Sequence, residues 1–139
     1  MIIIDTNVLS EPLRPAPDRR VLEWLDAQVA ETLFLTTITL AEMRYGIAAL
    51  PAGKRRTRLA KRFEADVLPL FEGRILAFDE SASREYAELR SRSRAAGQAI
   101  GDFDALIAGI ANAHRFGVAT RDVAPFEAAG VSTVIDPFS

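Results

Sequence analysis

Apolar residues along this chain follow two rhythms. Short segments rich in β-branched residues, at 2–5 (IIID), 33–38 (LFLTTI), 74–78 (RILAF), 118–122 (VATRD) and 131–135 (VSTVI), predict buried strands. Between them, apolar positions recur at helical spacing. Asp18 is placed to cap a helix reaching about Ala30, with Val21, Leu22, Trp24, Leu25 and Val29 as its apolar positions. A second helix is expected from about Thr39 to Leu50, ended by the PAG that follows. A basic helix covers roughly 54–68, an Arg/Glu-rich helix covers 80–96 and stops at Gly97, and another runs from about Asp102 to Phe116 and stops at Gly117. EPLRPAPD reads as a Pro-rich turn and PFEAAG as a helical turn. Strands that alternate with helices predict an α/β fold with a mostly parallel sheet covered on both faces.

Size and composition narrow the function more than the fold. At 139 residues the chain is expected to form one domain with its own core. No apolar stretch is long enough to span a membrane, and the N-terminus lacks the basic and cleavage regions of a signal peptide, so a cytoplasmic location is expected. With no cysteine, disulfides, thiolate zinc sites and a cysteine nucleophile are excluded. The single histidine, His114, lies late in a predicted helix with no serine nucleophile motif anywhere, which argues against a Ser-His-Asp triad and against a His-rich metal site. Catalysis is left to carboxylates, hydroxyls, lysine and arginine. The net charge of −2 is no general attractant for nucleic acid, but KRRTRLAKR at 54–62 carries six cations in nine residues and RSRSR at 90–94 three in five. Such runs serve equally as solvated helix faces or as flanks for a phosphate backbone.

Ligands of open α/β sheets gather beyond the carboxyl ends of the strands. Asp5 closes the first strand, Asp122 closes VATRD, and Glu42 falls in the first turn of the helix after LFLTTI. Each has a local alternative: Asp5 in an Asp-Thr-Asn turn, Thr39-x-x-Glu42 as a capping box, Asp122 as an N-cap or ion-pair partner. Parallel strands would nevertheless bring all three to one edge. In GDFDALIAGIANAHRFG, the residues Phe103, Leu106, Ile107 and Ile110 form the core-facing stripe, and Asp104 lies beside it among small residues. Asp102 fits better as the N-cap of that helix, and Gly109 hints at close backbone packing. Clustered carboxylates raise one another's pKa values, and a divalent cation relieves that conflict. All-oxygen ligation points to Mg²⁺ or Mn²⁺, and phosphodiester hydrolysis is the matching reaction class.

Four ordered segments, MIIIDTNVLSE, TLAEMRYG, DALIAGIA and ATRD, resemble the signatures of PIN-domain ribonucleases. More narrowly, the chain is similar over essentially its whole length to the VapC-like toxins of bacterial type II toxin–antitoxin pairs, especially their FitB-like members. The resemblance implies an α/β/α sandwich around a parallel sheet and RNA cleavage dependent on Mg²⁺ or Mn²⁺. It also implies a homodimer, an antitoxin partner whose peptide arm fills the active-site groove, and promoter DNA bound through that antitoxin. By the same resemblance the metal-binding acids fall on Asp5, Glu42, Asp104 and Asp122, flanked by Thr6, Asn7 and Thr120. Lys54, Arg55, Arg56 and Arg58 become candidate phosphate ligands, or a surface for the antitoxin or second subunit. Two rivals stand beside this reading. A haloacid-dehalogenase-type Mg²⁺ phosphohydrolase would need an acid where Asn7 stands, and a non-catalytic nucleic-acid or protein-binding module would have no need of four carboxylates.

Overall fold

A computed structural model describes residues 1–139. Five parallel strands lie in the order β3-β2-β1-β4-β5: β1 is Ile2–Ile4, β2 Leu33–Thr36, β3 Ile75–Leu76, β4 Gly117–Ala119 and β5 Val134–Ile135. Seven α-helices connect them: α1 Thr6–Ser10, α2 Arg19–Ala27, α3 Thr37–Ala48, α4 Lys54–Arg62, α5 Glu80–Ala95, α6 Asp102–His114 and α7 Val123–Ala128. No helix is long and apolar enough to cross a membrane.

Strand alternation divides the core in two, because successive side chains leave a strand on opposite faces. Ile3 and Val118 point to one face, where Ala82 and Leu89 of α5 and Ile107 and Ile110 of α6 cover them. Ile4 and Ala119 point to the other, with Val8, Val21, Leu35, Leu40, Met43 and Phe63. This is the expected three-layer α/β/α sandwich around a parallel sheet.

The strands are shorter than their sequences suggest, and the reason is local. Thr36 Oγ1 accepts a hydrogen bond from the Thr39 backbone N–H at 3.0 Å, so Thr36 caps α3 and Thr37 and Ile38 are already helical. The capping box Thr39-x-x-Glu42 therefore does not form, and Glu42 is left free for another use. α2 ends at Ala27, so Val29 lies beyond it and is exposed. The basic helix expected over 54–68 ends at Arg62, where a π-helical turn at Phe63–Val67 and a 3₁₀ turn at Leu68–Phe71 containing Pro69 take over. α6 stops at His114, with Arg115 in the left-handed conformation, and Gly117 instead begins β4. The N-cap of α6 is Gly101, not Asp102; Asp102 is exposed and pairs with Arg90. Phe103 is 53% exposed, so the core stripe of α6 consists of Ala105, Ile107, Ala108, Ile110 and Ala111 rather than beginning at Phe103.

Gly109 explains how α6 approaches α5 so closely. A Cβ there would stand 3.0 Å from the Ala82 carbonyl oxygen and 3.2 Å from Tyr86 Cβ. Gly109→Leu is expected to destabilise the fold by about 3 kcal/mol, because the overpacking falls on backbone that cannot swing aside. Urea unfolding measures this, and an unchanged midpoint would show that the seam yields.

Candidate active site at the carboxyl ends of the strands

Parallel pairing puts the ends of β1, β2 and β4 at one rim. Asp5 follows Ile4 and remains tied to the sheet, its N–H donating to the Ala119 carbonyl at 3.0 Å. Its side chain is only 4% exposed and is held at both oxygens. Oδ1 accepts from the Thr6 N–H at 2.8 Å and so caps α1; Oδ2 accepts from the Thr120 hydroxyl at 2.7 Å. The turn reading of Asp5 is thus half of its role, since Thr120 arrives from β4, far away in sequence.

Thr6 joins the second acid. Its hydroxyl donates to Glu42 Oε1 at 2.8 Å, which holds the α3 carboxylate over the start of α1. Thr120 joins the fourth: its hydroxyl oxygen accepts from the Asp122 N–H at 3.0 Å and from Asn7 Nδ2 at 3.4 Å. Asn7 Oδ1 accepts from the Arg121 N–H at 3.1 Å. Asn7 and Thr120 therefore shape the 120–122 turn, and an amide does there what a second carboxylate could not. Asp122 occupies the N-cap position of α7 without making a side-chain capping bond, and no ion pair engages it. Asp104, in the first turn of α6, is half-buried and accepts no hydrogen bond from a side chain or cap.

The electrostatics tie the four together. Burial first, and then the charges of Asp5, Asp122 and Glu42, together push the Asp104 carboxyl up to about 6. Burial also raises Asp5, against the hydrogen bonds from Thr120 and Thr6, with Asp122 adding to the rise. Glu42 is raised by burial and by Asp5, against the bond from Thr6. No lysine or arginine pairs with any of the four.

Such a donor set, all oxygen and mutually repelling, matches a hard divalent cation in chemistry. Its spacing is open: no three acidic side chains stand close enough to form a ready-made ligand cluster. The unbonded side chain of Asp104 and the single hydroxyl tether on Glu42 leave both free to turn inward around the fixed Asp5.

Of the candidate phosphate ligands, Arg55 shares a cleft with Thr6 and Glu42. Lys54 and Arg58 are exposed on α4, while Arg56 reaches the Leu50 carbonyl at 3.5 Å and lines a separate cleft with Arg44 and Glu64. Reasoning from sequence missed Glu11, which lies in the segment read as a turn yet is 3% exposed. It accepts from Arg14 at 3.2 Å and from the Asp18 N–H at 3.0 Å, and stands 4.0 Å from Arg121, whose guanidinium also covers the Phe138 ring. An acid set directly before Pro12 and Leu13, after the apolar Val8 and Leu9, was its one signal.

Residues 2–131 match the PIN domain family. The chain is 54% identical over 138 residues to the VapC ribonuclease Y4jK of Sinorhizobium fredii, covering 99% of this chain and 98% of that one. It is 48% identical over 138 residues to Toxin FitB of Neisseria gonorrhoeae, covering 99% of both. The structure of FitAB bound to an IR36 DNA fragment superposes with a TM-score of 0.96 at 48% identity, over 100% of this chain and 96% of that one. Matched along nearly its whole length in both sequence and fold, this chain belongs to the PIN-domain family.

Proposed function

We propose that this protein is the toxin of a toxin–antitoxin pair, an endoribonuclease whose carboxylates Asp5, Glu42, Asp104 and Asp122 hold Mg²⁺ or Mn²⁺. The observation that carries this reading is the carboxylate edge itself: Thr6 and Thr120 hold Asp5 at both oxygens, Thr6 also holds Glu42, and no cationic side chain pairs with either acid, with Asp104 or with Asp122. Similarity to a protein named as a ribonuclease and to one named as a toxin supports the activity and the biological role. Similarity to a complex of FitAB with DNA supports an antitoxin partner through which promoter DNA is reached, and a homodimeric toxin is the expected form.

When bound, a divalent cation supplies the positive charge that offsets the acids and the phosphate, and lowers the pKa of the attacking water. The chain's own residues supply the rest. Thr120 and Thr6 fix both oxygens of Asp5, and Thr6 turns Glu42 toward it. Glu42, held by one hydroxyl, and Asp104 and Asp122, without such restraints, adjust around the fixed Asp5. Asn7 and Thr120 hold the turn that presents Asp122. Arg55, at the edge of the same cleft, is placed to meet RNA phosphate.

The test is cleavage of a mixed RNA pool by the purified chain in Mg²⁺, Mn²⁺ or EDTA, with Glu42→Gln prepared in parallel. Cutting that requires metal and falls at least about 10-fold in the variant is expected. Equal cutting by both proteins, or cutting that persists in EDTA, would overturn the assignment.

A further inference from the structure

Gly46 sits in the interior of α3, one turn beyond Glu42 and on the same side of the helix. Glycine weakens a helix interior, so its presence there usually makes room for a neighbour, as Gly109 does. Gly46 has no such neighbour: an added Cβ would meet nothing within 4 Å. What it borders instead is a cleft of about 290 Å³ that Thr6 and Glu42 also line, so the space is continuous with the carboxylate site.

The chemistry of that cleft is divided. Arg14 and Arg55 contribute two guanidinium groups, and Leu13, Met43, Ile47 and Leu59 contribute an apolar lining. Arg55 makes no ion pair, and Arg14 is bound to the buried Glu11 while 58% of its side chain stays exposed. The unpaired guanidinium of Arg55, with the exposed donors of Arg14 that Glu11 leaves unused, favours an anionic occupant, and the lining favours a flat uncharged face. A nucleotide has both.

We propose that Gly46 keeps this cleft open for the nucleotide of RNA adjoining the scissile phosphodiester, with its base on the apolar lining and its phosphate on Arg14 and Arg55. The proposal rests on the nuclease reading above.

Cleavage kinetics of the full chain test it, using a single-stranded RNA pool with Mn²⁺, on wild type, Gly46→Ala and Gly46→Leu. Because a leucine at Gly46 fills open space, the fold is retained and the melting temperature is expected to stay the same or rise. The expected result is a KM about tenfold higher or more in Gly46→Leu, with Mn²⁺ binding by calorimetry unchanged. Gly46→Ala, adding one methyl to the same cleft, is expected to raise KM by a smaller amount, about twofold, while melting slightly higher. An unchanged KM in Gly46→Leu, with the wild type active, overturns the cleft alone and leaves it to a peptide or to solvent. Loss of Mn²⁺ binding in Gly46→Leu also overturns it, since the residue then serves the metal site. A wild type that cuts no RNA removes the nuclease reading and this subsite with it.

Discussion

Asp104→Asn is expected to lower RNA cleavage by more than about 100-fold and, in the same protein without metal, to raise stability at pH 7. Mutating a residue that only orients a metal ligand costs roughly 10–100-fold, so loss of a ligand itself should exceed that range. The gain in stability follows from the raised pKa. The Asp104 carboxyl lies at about 6 in the folded chain against an ordinary value of 3.8, so between those values the folded state binds more protons than the unfolded one. Stability from this group is complete below about pH 4 and is lost as pH rises through 6. Solvent screening of a half-buried carboxyl keeps the loss to about 1–2 kcal/mol. Thermal melts of the metal-free proteins from pH 4.5 to 7.5 should show the wild type falling more steeply than Asp104→Asn. Some fall should remain in the variant, because Asp5 and Glu42 are raised as well. Parallel curves would mean that Asp104 titrates as an ordinary surface acid.

Thr120→Val should be nearly as damaging, although Thr120 is no metal ligand in this reading. Its hydroxyl is fully buried and is used in both directions, donating to Asp5 at 2.7 Å and accepting from the Asp122 N–H at 3.0 Å. A methyl of the same shape leaves a buried carboxylate oxygen and a backbone N–H without partners. A cost of about 2–3 kcal/mol is expected, since the lost bond is to a charged group. Cleavage should fall by about 10–100-fold, because Asp5 and Asp122 both lose the group that sets their positions. Thr120→Ser keeps the hydroxyl and should recover most of both losses. If Thr120→Val cuts RNA as well as Thr120→Ser, the hydroxyl supports the fold alone.

The acids were legible in the sequence wherever chain direction decided their place. Asp5 follows β1 directly and Asp122 lies in the short turn after β4, three residues past the strand's end at Ala119, and parallel pairing carries both strand ends to a common rim. Asp104 could be read from its helical phase beside Ile107 and Ile110. Glu42 was ambiguous because Thr39-x-x-Glu42 satisfies a capping pattern; only the hydroxyl of Thr36, three residues before Thr39, decides where α3 begins. The helix α1 escaped notice because TNVLS is too short to show a period. Its existence depends on the Asp5 cap and on Val8 and Leu9 reaching the core. Glu11 was hidden for a related reason. A carboxylate in a Pro-rich turn is ordinarily solvated, and its burial depends on Arg14 and Arg121, the latter about a hundred residues away along the chain. Tertiary partners of that kind leave no local pattern. The same holds for Phe103, whose spacing matches the stripe of α6 while its side chain remains outside the packed layer.

Calorimetric titration of Mn²⁺ into the full chain and into Asp104→Asn at pH 7 probes the carboxylate centre most directly. A metal centre built on Asp5, Glu42, Asp104 and Asp122 predicts saturable binding by the wild type and an affinity at least about tenfold weaker in the variant. Equal affinities in the two proteins, or a wild type that takes up no Mn²⁺ yet cuts RNA, would contradict it.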